Sequence, residues 1–205
     1  MENEEITMEA GQEDTHSVKK DKKKHTALKY VIEGLIYIAL IVICVYVVPN
    51  YVVQRTVVSG ESMEDTLHDR ESLLIDKISY RFSDPKRYDI IVFYPKGRDV
   101  NEYYVKRIYG LPGETIQIKG NDIYINNEKI EDPYPKDGMS TGGIAEEPLT
   151  LAEDEYFVLG DHRSLSQDSR FTPEDDPNAP GPVKFEDISG KVILRIWPLS
   201  KFGVP

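Results

Sequence analysis

Apolar residues along this chain fall into two unlike textures. From Gly34 to Val53 they run as GLIYIALIVICVYVVPNYVV, without one charged residue. Beyond that point they come in short stretches cut by Gly, Pro and Asn. The first run is about twenty residues long, and at ~1.5 Å per residue it can cross a hydrocarbon core of ~30 Å. Tyr30, Tyr46 and Tyr51 stand towards its ends, where amphipathic rings favour the membrane interface. A buried helix of a soluble protein seldom stays uncharged for so long. A cleaved signal peptide would be shorter and followed by an Ala-x-Ala site, which is absent here. A transmembrane signal anchor over residues 27–53 is therefore expected.

The second texture predicts strands. Tyr51 to Val58, Ser72 to Ile75, Asp89 to Tyr94 and Tyr103 to Tyr109 are rich in β-branched and aromatic residues. Leu111-Pro112-Gly113-Glu114 has the composition of a type II turn. Thr115 to Lys119 and Asp122 to Ile125 flank Gly120-Asn121, and Asn126-Asn127 precedes Lys129-Ile130, which are hairpin signals. Glu155 to Leu159 and Lys191 to Trp197 supply the last strands, with one short helix expected near Met63 to Leu67. Two stretches, 133–148 and 172–182, look like loops. The expected fold is mainly β, a compact curved sheet or partly closed barrel over 54–205, preceded by a single transmembrane helix.

Charge adds an orientation. The formal net charge is −11, which argues against a nucleic-acid partner. Residues 1–26 mix acids with a basic cluster at Lys19, Lys20, Lys22, Lys23 and Lys24, and so polar a segment is expected to be disordered. Those five lysines precede the span, whereas Arg55 alone follows it closely. The positive-inside rule then puts the N-terminus in the cytoplasm and residues from about 54 onward outside. The bilayer is thus the first expected partner. No feature of the sequence indicates an oligomeric state.

Nucleophiles come next. Cys44 lies inside the apolar run, a poor place for a reactive thiolate. No His/Cys cluster has metal-ligand spacing, so neither a metal nor a cofactor is expected. Beyond the span only His68 and His162 could serve a Ser/His/Asp triad, and neither can be assigned from spacing alone. A serine paired with an amine remains. Ser59-Gly60-Glu61-Ser62-Met63 follows a strand, where a glycine-assisted turn can expose the Ser62 hydroxyl; an ordinary loop serine fits equally. In YYVKRIY, alternation sets Tyr104, Lys106 and Ile108 on one face and Val105, Arg107 and Tyr109 on the other. Two adjacent cations are not expected both to face the core, so one should meet solvent. Lys106 is either desolvated over a site, which would lower its pKa, or a snorkelling lysine at a strand edge. In GDHRSLSQDSR, beginning at Gly160, Asp168 and Arg170 can fix a loop by charge-assisted bonds or simply decorate a polar surface turn.

Taken in order, SGESMEDTL, YDIIVFYP, YYVKRIYGLPGE, GDHRSLSQDSR and GKVILRIWP resemble the motifs of type I signal peptidases, especially the short forms of Gram-positive bacteria. The resemblance implies a serine/lysine endopeptidase that trims exported preproteins after small residues at positions −1 and −3. Ser62 would be the nucleophile and Lys106 its general base; Ser166 would orient the lysine amine, and Asp168 and Arg170 would hold the loop. Met63 would pack beside the nucleophile. Gly60 stands where some members carry a hydroxyl that assists the oxyanion hole. Two positions depart from the family pattern: Asp65 replaces a proline, which should loosen the nucleophile turn, and His162 replaces an asparagine. Those departures leave open a catalytically impaired paralogue that binds exported peptides or a partner peptidase. A self-cleaving repressor with a similar serine/lysine pair is disfavoured by the anchor and the acidic N-terminus.

Overall fold

The computed structural model of the protein describes residues 28–205 apart from residue 101; the polar opening segment expected to be disordered lies outside the described residues. Contacts divide the chain into two compact units between Val48 and Pro49. One helix, α1 (Leu28–Val52), is long and apolar enough to cross a membrane, and its large apolar side chains are exposed rather than packed. Its last ten residues, Ile43–Val52, widen into a π-helix that contains Pro49. Proline lacks an N–H and crowds the carbonyl four residues back, and a local π adjustment relieves both. Helix therefore persists to Val52, so the first strand begins later than the β-rich run from Tyr51 suggests.

Among its described residues the second unit holds eleven strands. They are β1 (Val53–Val57), β2 (Ser72–Asp76), β3 (Ile90–Phe93), β4 (Tyr104–Gly110), β5 (Thr115–Lys119), β6 (Asp122–Ile125), β7 (Glu128–Lys129), β8 (Leu149–Thr150), β9 (Glu155–Leu159), β10 (Val183–Lys184) and β11 (Ile188–Trp197). Seven form one sheet in the order β1-β2-β11-β3-β4-β9-β10, and four form a second in the order β7-β6-β5-β8. Every pairing is antiparallel. Register shifts in β11 and between β4 and β9 bend the larger sheet into a curled half-barrel, as an unpaired residue in one strand increases local twist.

Local chemistry explains the hairpins. Lys119 pairs with Asp122 across Gly120-Asn121, with Gly120 at φ 61°. Asn126 and Asn127 sit at φ 51° and 68°, the two consecutive left-handed residues that a type I′ turn needs and that asparagine tolerates best after glycine. The short helix expected near Met63 to Leu67 is a set of turns with one helical bond, Leu67 N–H to Met63 O, at 2.8 Å.

Strand β3 is buried on both faces. Ile90 and Val92 pack with Met63, Leu67, Leu73 and Val192, while Ile91 and Phe93 pack with Ile108, Val158 and Ile188. A third cluster, built on Tyr109, Ile116, Ile125 and Phe157, joins the smaller sheet to β4 and β9. Because β3 is covered twice, its neighbour β4 also lies between two packed layers, and that decides the fate of its cations. Phe93 is fully buried, so Phe93→Ala is expected to cost about 3–5 kcal/mol in urea unfolding of the micelle-solubilised chain.

Candidate active site

The segment after β1 is shaped by backbone constraints before any chemistry enters. Val58 continues the β1–β2 ladder, its N–H bonding Glu71 O and its carbonyl accepting from Arg70 N–H, both at 2.9 Å. Gly60 then takes φ 98°, which glycine alone reaches without strain, and its N–H is held by Asp69 Oδ1 at 3.0 Å. Two residues later the chain presents Ser62, and Met63 turns inward to 2% exposure in the β3 core. Met63 thus anchors the turn that displays the hydroxyl.

Lys106 Nζ lies 2.5 Å from Ser62 Oγ. The lysine is 4% exposed, and burial lowers its pKa to about 8, against a partial upward pull from Asp168 and Asp161. Among the described residues no carboxylate forms an ion pair with it. The amine therefore sheds its proton within reach of neutral pH. The same contact can then run with Ser62 Oγ–H as donor and the neutral amine as acceptor.

Arg107 corrects the expectation that one of the two cations meets solvent. It is 3% exposed, as buried as its neighbour. Alternation does send the two to opposite faces, Lys106 opposite Ile91 and Arg107 opposite Ile90, but both faces are covered. An arginine cannot shed its charge, so it needs an anion. Asp161 supplies one through a bidentate pair at 3.0 and 2.7 Å, and Tyr134 covers the guanidinium face at 3.7 Å. Thr66 Oγ1 also donates to Asp161 at 2.6 Å, which ties the Ser62 turn to this pair. Asp161 is a structural residue that the sequence did not single out; a buried Arg107 would have signalled the need for it.

The loop from Gly160 to Arg170 closes the site from the other side. Asp168 and Arg170 are buried and paired, with Arg170 Nε 2.8 Å from Asp168 Oδ1, so this is no surface turn. Asp168 Oδ2 accepts from Gly160 N–H at 3.1 Å, and Arg170 Nη2 donates to Arg163 O at 2.6 Å. Gly160 was also missed. A Cβ there would overlap Ser62 O and the Ser166 side chain, so only glycine lets the loop approach Ser62 so closely. Ser166 is buried, and among the described residues its Oγ makes no hydrogen bond; the lysine amine is turned to Ser62.

These walls enclose a groove of about 420 Å³ lined by Val57, Ser59, Ser62, Tyr104, Lys106 and Leu165, among others. Strand β1 is an edge of the sheet. Since Val58 spends both backbone groups on β2, alternation leaves those of Val57 and Ser59 facing away, free to pair with an added strand. Among the described residues no group of three His, Cys, Asp or Glu gathers for a metal.

Residues 30–197 match the family model described as signal peptidase, peptidase S26. The chain belongs to the peptidase S26 family. A signal peptidase I from Leptolyngbya laminosa is 34% identical over 177 residues, covering 83% of this chain and 82% of that protein. One from Bacillus amyloliquefaciens is 38% identical over 160 residues, covering 75% and 84%. A solved signal peptidase I from Enterococcus faecalis V583 is 30% identical and superposes over 53% of this chain and 97% of that one, at a TM-score of 0.40.

Within this S26 peptidase, truncating Asp161 should be costly. Asp161→Ala strands a buried guanidinium, and a loss of about 3–5 kcal/mol is expected in the same urea unfolding. Lys106→Met should act oppositely. A native pKa near 8 against 10.5 for the free side chain amounts to about 3 kcal/mol held against folding below pH 8. In that window the unfolded chain binds more protons than the native one, so the wild type gains stability as pH rises from 8 towards 10.5. Lys106→Met should therefore be more stable at neutral pH, with the difference shrinking above pH 8 in unfolding curves taken across pH.

Proposed function

We propose that this chain is a membrane-anchored signal peptidase I that removes N-terminal signal peptides from exported proteins, with Ser62 and Lys106 as its catalytic pair. The observation that carries this reading is the buried amine 2.5 Å from a hydroxyl at the wall of a groove. Neutral Lys106 takes the Ser62 proton as Oγ attacks the scissile carbonyl. The Ser62 N–H helps hold the resulting oxyanion; Gly60 brings no hydroxyl to assist. Lys106 returns the proton to the leaving amine, which frees the mature N-terminus and leaves an acyl ester on Ser62. It then deprotonates the water that cleaves the ester. Asp168 and Arg170 keep the amine's surroundings dry without touching the reacting atoms.

The preprotein binds extended along the β1 edge, with backbone pairing to Val57 and Ser59 and small residues at −1 and −3 next to the scissile bond. Helix α1 spans the bilayer, and the lysines at 19–24 keep the N-terminus in the cytoplasm, which places the second unit outside. Val53 and Ser62 are nine residues apart, so Ser62 can stand at most about 30 Å from the end of the span.

The test is cleavage of a preprotein with an Ala-x-Ala site by the full chain in detergent micelles. Ser62→Ala and Lys106→Ala are each expected to lower turnover by roughly 10³-fold or more. With a lysine pKa of about 8, kcat/KM should rise about fivefold from pH 7 to pH 8 and level off near pH 9. Turnover retained in either variant, or a wild type that binds the preprotein without cutting it, would sink the proposal.

A further inference from the structure

A second pocket, of about 510 Å³, lies at the start of β1 and is lined by Lys77, Arg81, Arg98, Tyr51, Tyr80 and Phe185, among others. Three cations share it with one carboxylate residue, Glu186, in a chain whose net charge is −11. Among the described residues none of the three forms an ion pair. Arg98 is held in place by backbone carbonyls, donating to Glu186 O at 2.6 Å and Ile188 O at 3.0 Å, and lies against the Tyr94 ring. Lys77 Nζ donates to Gln54 Oε1 at 3.1 Å. Among the described residues Arg98 keeps three N–H groups beyond these bonds and Lys77 two, and Arg81 makes no side-chain hydrogen bond. Unpaired cations grouped around one concavity fit a multiply oxygenated anion.

Position selects which anion. Lys77 N–H bonds the carbonyl of Val52, the last residue of α1, at 2.9 Å, so the pocket is fixed to the very end of the apolar span. Tyr51 lines it, and Phe82, 84% exposed, follows Arg81, giving the aromatic and cationic mixture that suits a membrane interface. We propose that this pocket holds the phosphate of an anionic phospholipid headgroup in the outer leaflet. The site rests on the reading that α1 spans a bilayer. It is remote in role from the Ser62 groove, with which it shares no lining residue. A lipid bound there fixes the domain's height and rotation at the bilayer through the strand that leads to Ser62.

The full chain in phosphatidylcholine nanodiscs doped with phosphatidylglycerol carrying a photoreactive headgroup tests this. Crosslinks are mapped by peptide, and a parallel probe with a photoreactive acyl chain reports insertion of residues 28–52. Headgroup label is expected on peptides from 77–98, falling by roughly tenfold or more in Lys77→Gln/Arg81→Gln/Arg98→Gln, since each interfacial cation is worth a factor of about five. Lys77→Gln/Arg81→Gln leaves the Arg98 backbone bonds intact and should show most of the loss. Unchanged acyl labelling in both variants shows that the chain remains inserted. Headgroup label confined to the lysines at 19–24, label that persists in both variants, or label abolished by millimolar inorganic phosphate would overturn the lipid site. Crosslinking needs no turnover, so its result is separate from that of the peptidase assay.

Discussion

The structure depends on how four buried cations are neutralised. Lys106, Arg107, Arg163 and Arg170 are each at most 4% exposed. An isolated charge in such surroundings is strongly disfavoured, and the two residue types have different ways out. Arginine holds its proton, so each guanidinium has its own carboxylate: Arg107 with Asp161, Arg163 with Asp132, Arg170 with Asp168. Lysine can lose its proton, and among the described residues Lys106 is the one of the four without an ion-pair partner. Its lowered pKa follows from that allocation of acids. Asp168 and Asp161 are near enough to raise it somewhat, yet both are already committed to arginines, and burial prevails.

The same pairs place the two chain segments that meet at Lys106. Asp161 holds Arg107 on β4 and Thr66 in the turn that carries Ser62, while Asp168 holds Gly160 and Arg170 within the closing loop. Side chains that touch neither group thus fix the approach of Ser62 to the amine. Covalent continuity from α1 through β1 to Ser62 adds the third constraint, and the edge position of β1 leaves room for an extended chain beside it.

Much of this was legible from residues, and the misread burials share one cause. Hairpins were read correctly because Gly120-Asn121 and Asn126-Asn127 encode their own backbone angles. Alternation in YYVKRIY also placed Lys106 and Arg107 on opposite faces. What alternation could not say is whether the second face is covered, a question settled by layers that come from elsewhere in the chain. The expectation that one of the two cations meets solvent failed for that reason, and the partner role of Asp161 was hidden with it. The burial of Asp168 and Arg170 was undecided on the same ground. Strands β8 and β10 are two residues each, too short to leave a period. The family resemblance brought Ser62 and Lys106 together on paper; nothing in composition or spacing could have done so.

The two departures from the family pattern can be weighed by what carries the local geometry. A proline at position 65 would stiffen its own backbone, and Asp65 gives that up. The turn is nonetheless held by the Leu67 N–H bond to Met63 O, by Thr66 on Asp161, by Arg195 on Thr66 O at 3.0 Å, and by Lys136 on Glu64 at 2.6 Å. At position 162 the bond that reaches Ser62 is made by the main chain, His162 N–H to Ser62 O at 3.1 Å, which any residue but proline can supply. The imidazole lies outside that bond, with Nδ1 3.2 Å from Glu61 O and Nε2 3.8 Å from Asp137 Oδ2. Neither substituted side chain touches the amine or the hydroxyl. The local bonds argue that the serine turn keeps its shape through backbone and buried ion-pair contacts, so that the side chains at 65 and 162 leave the Ser62–Lys106 contact in place.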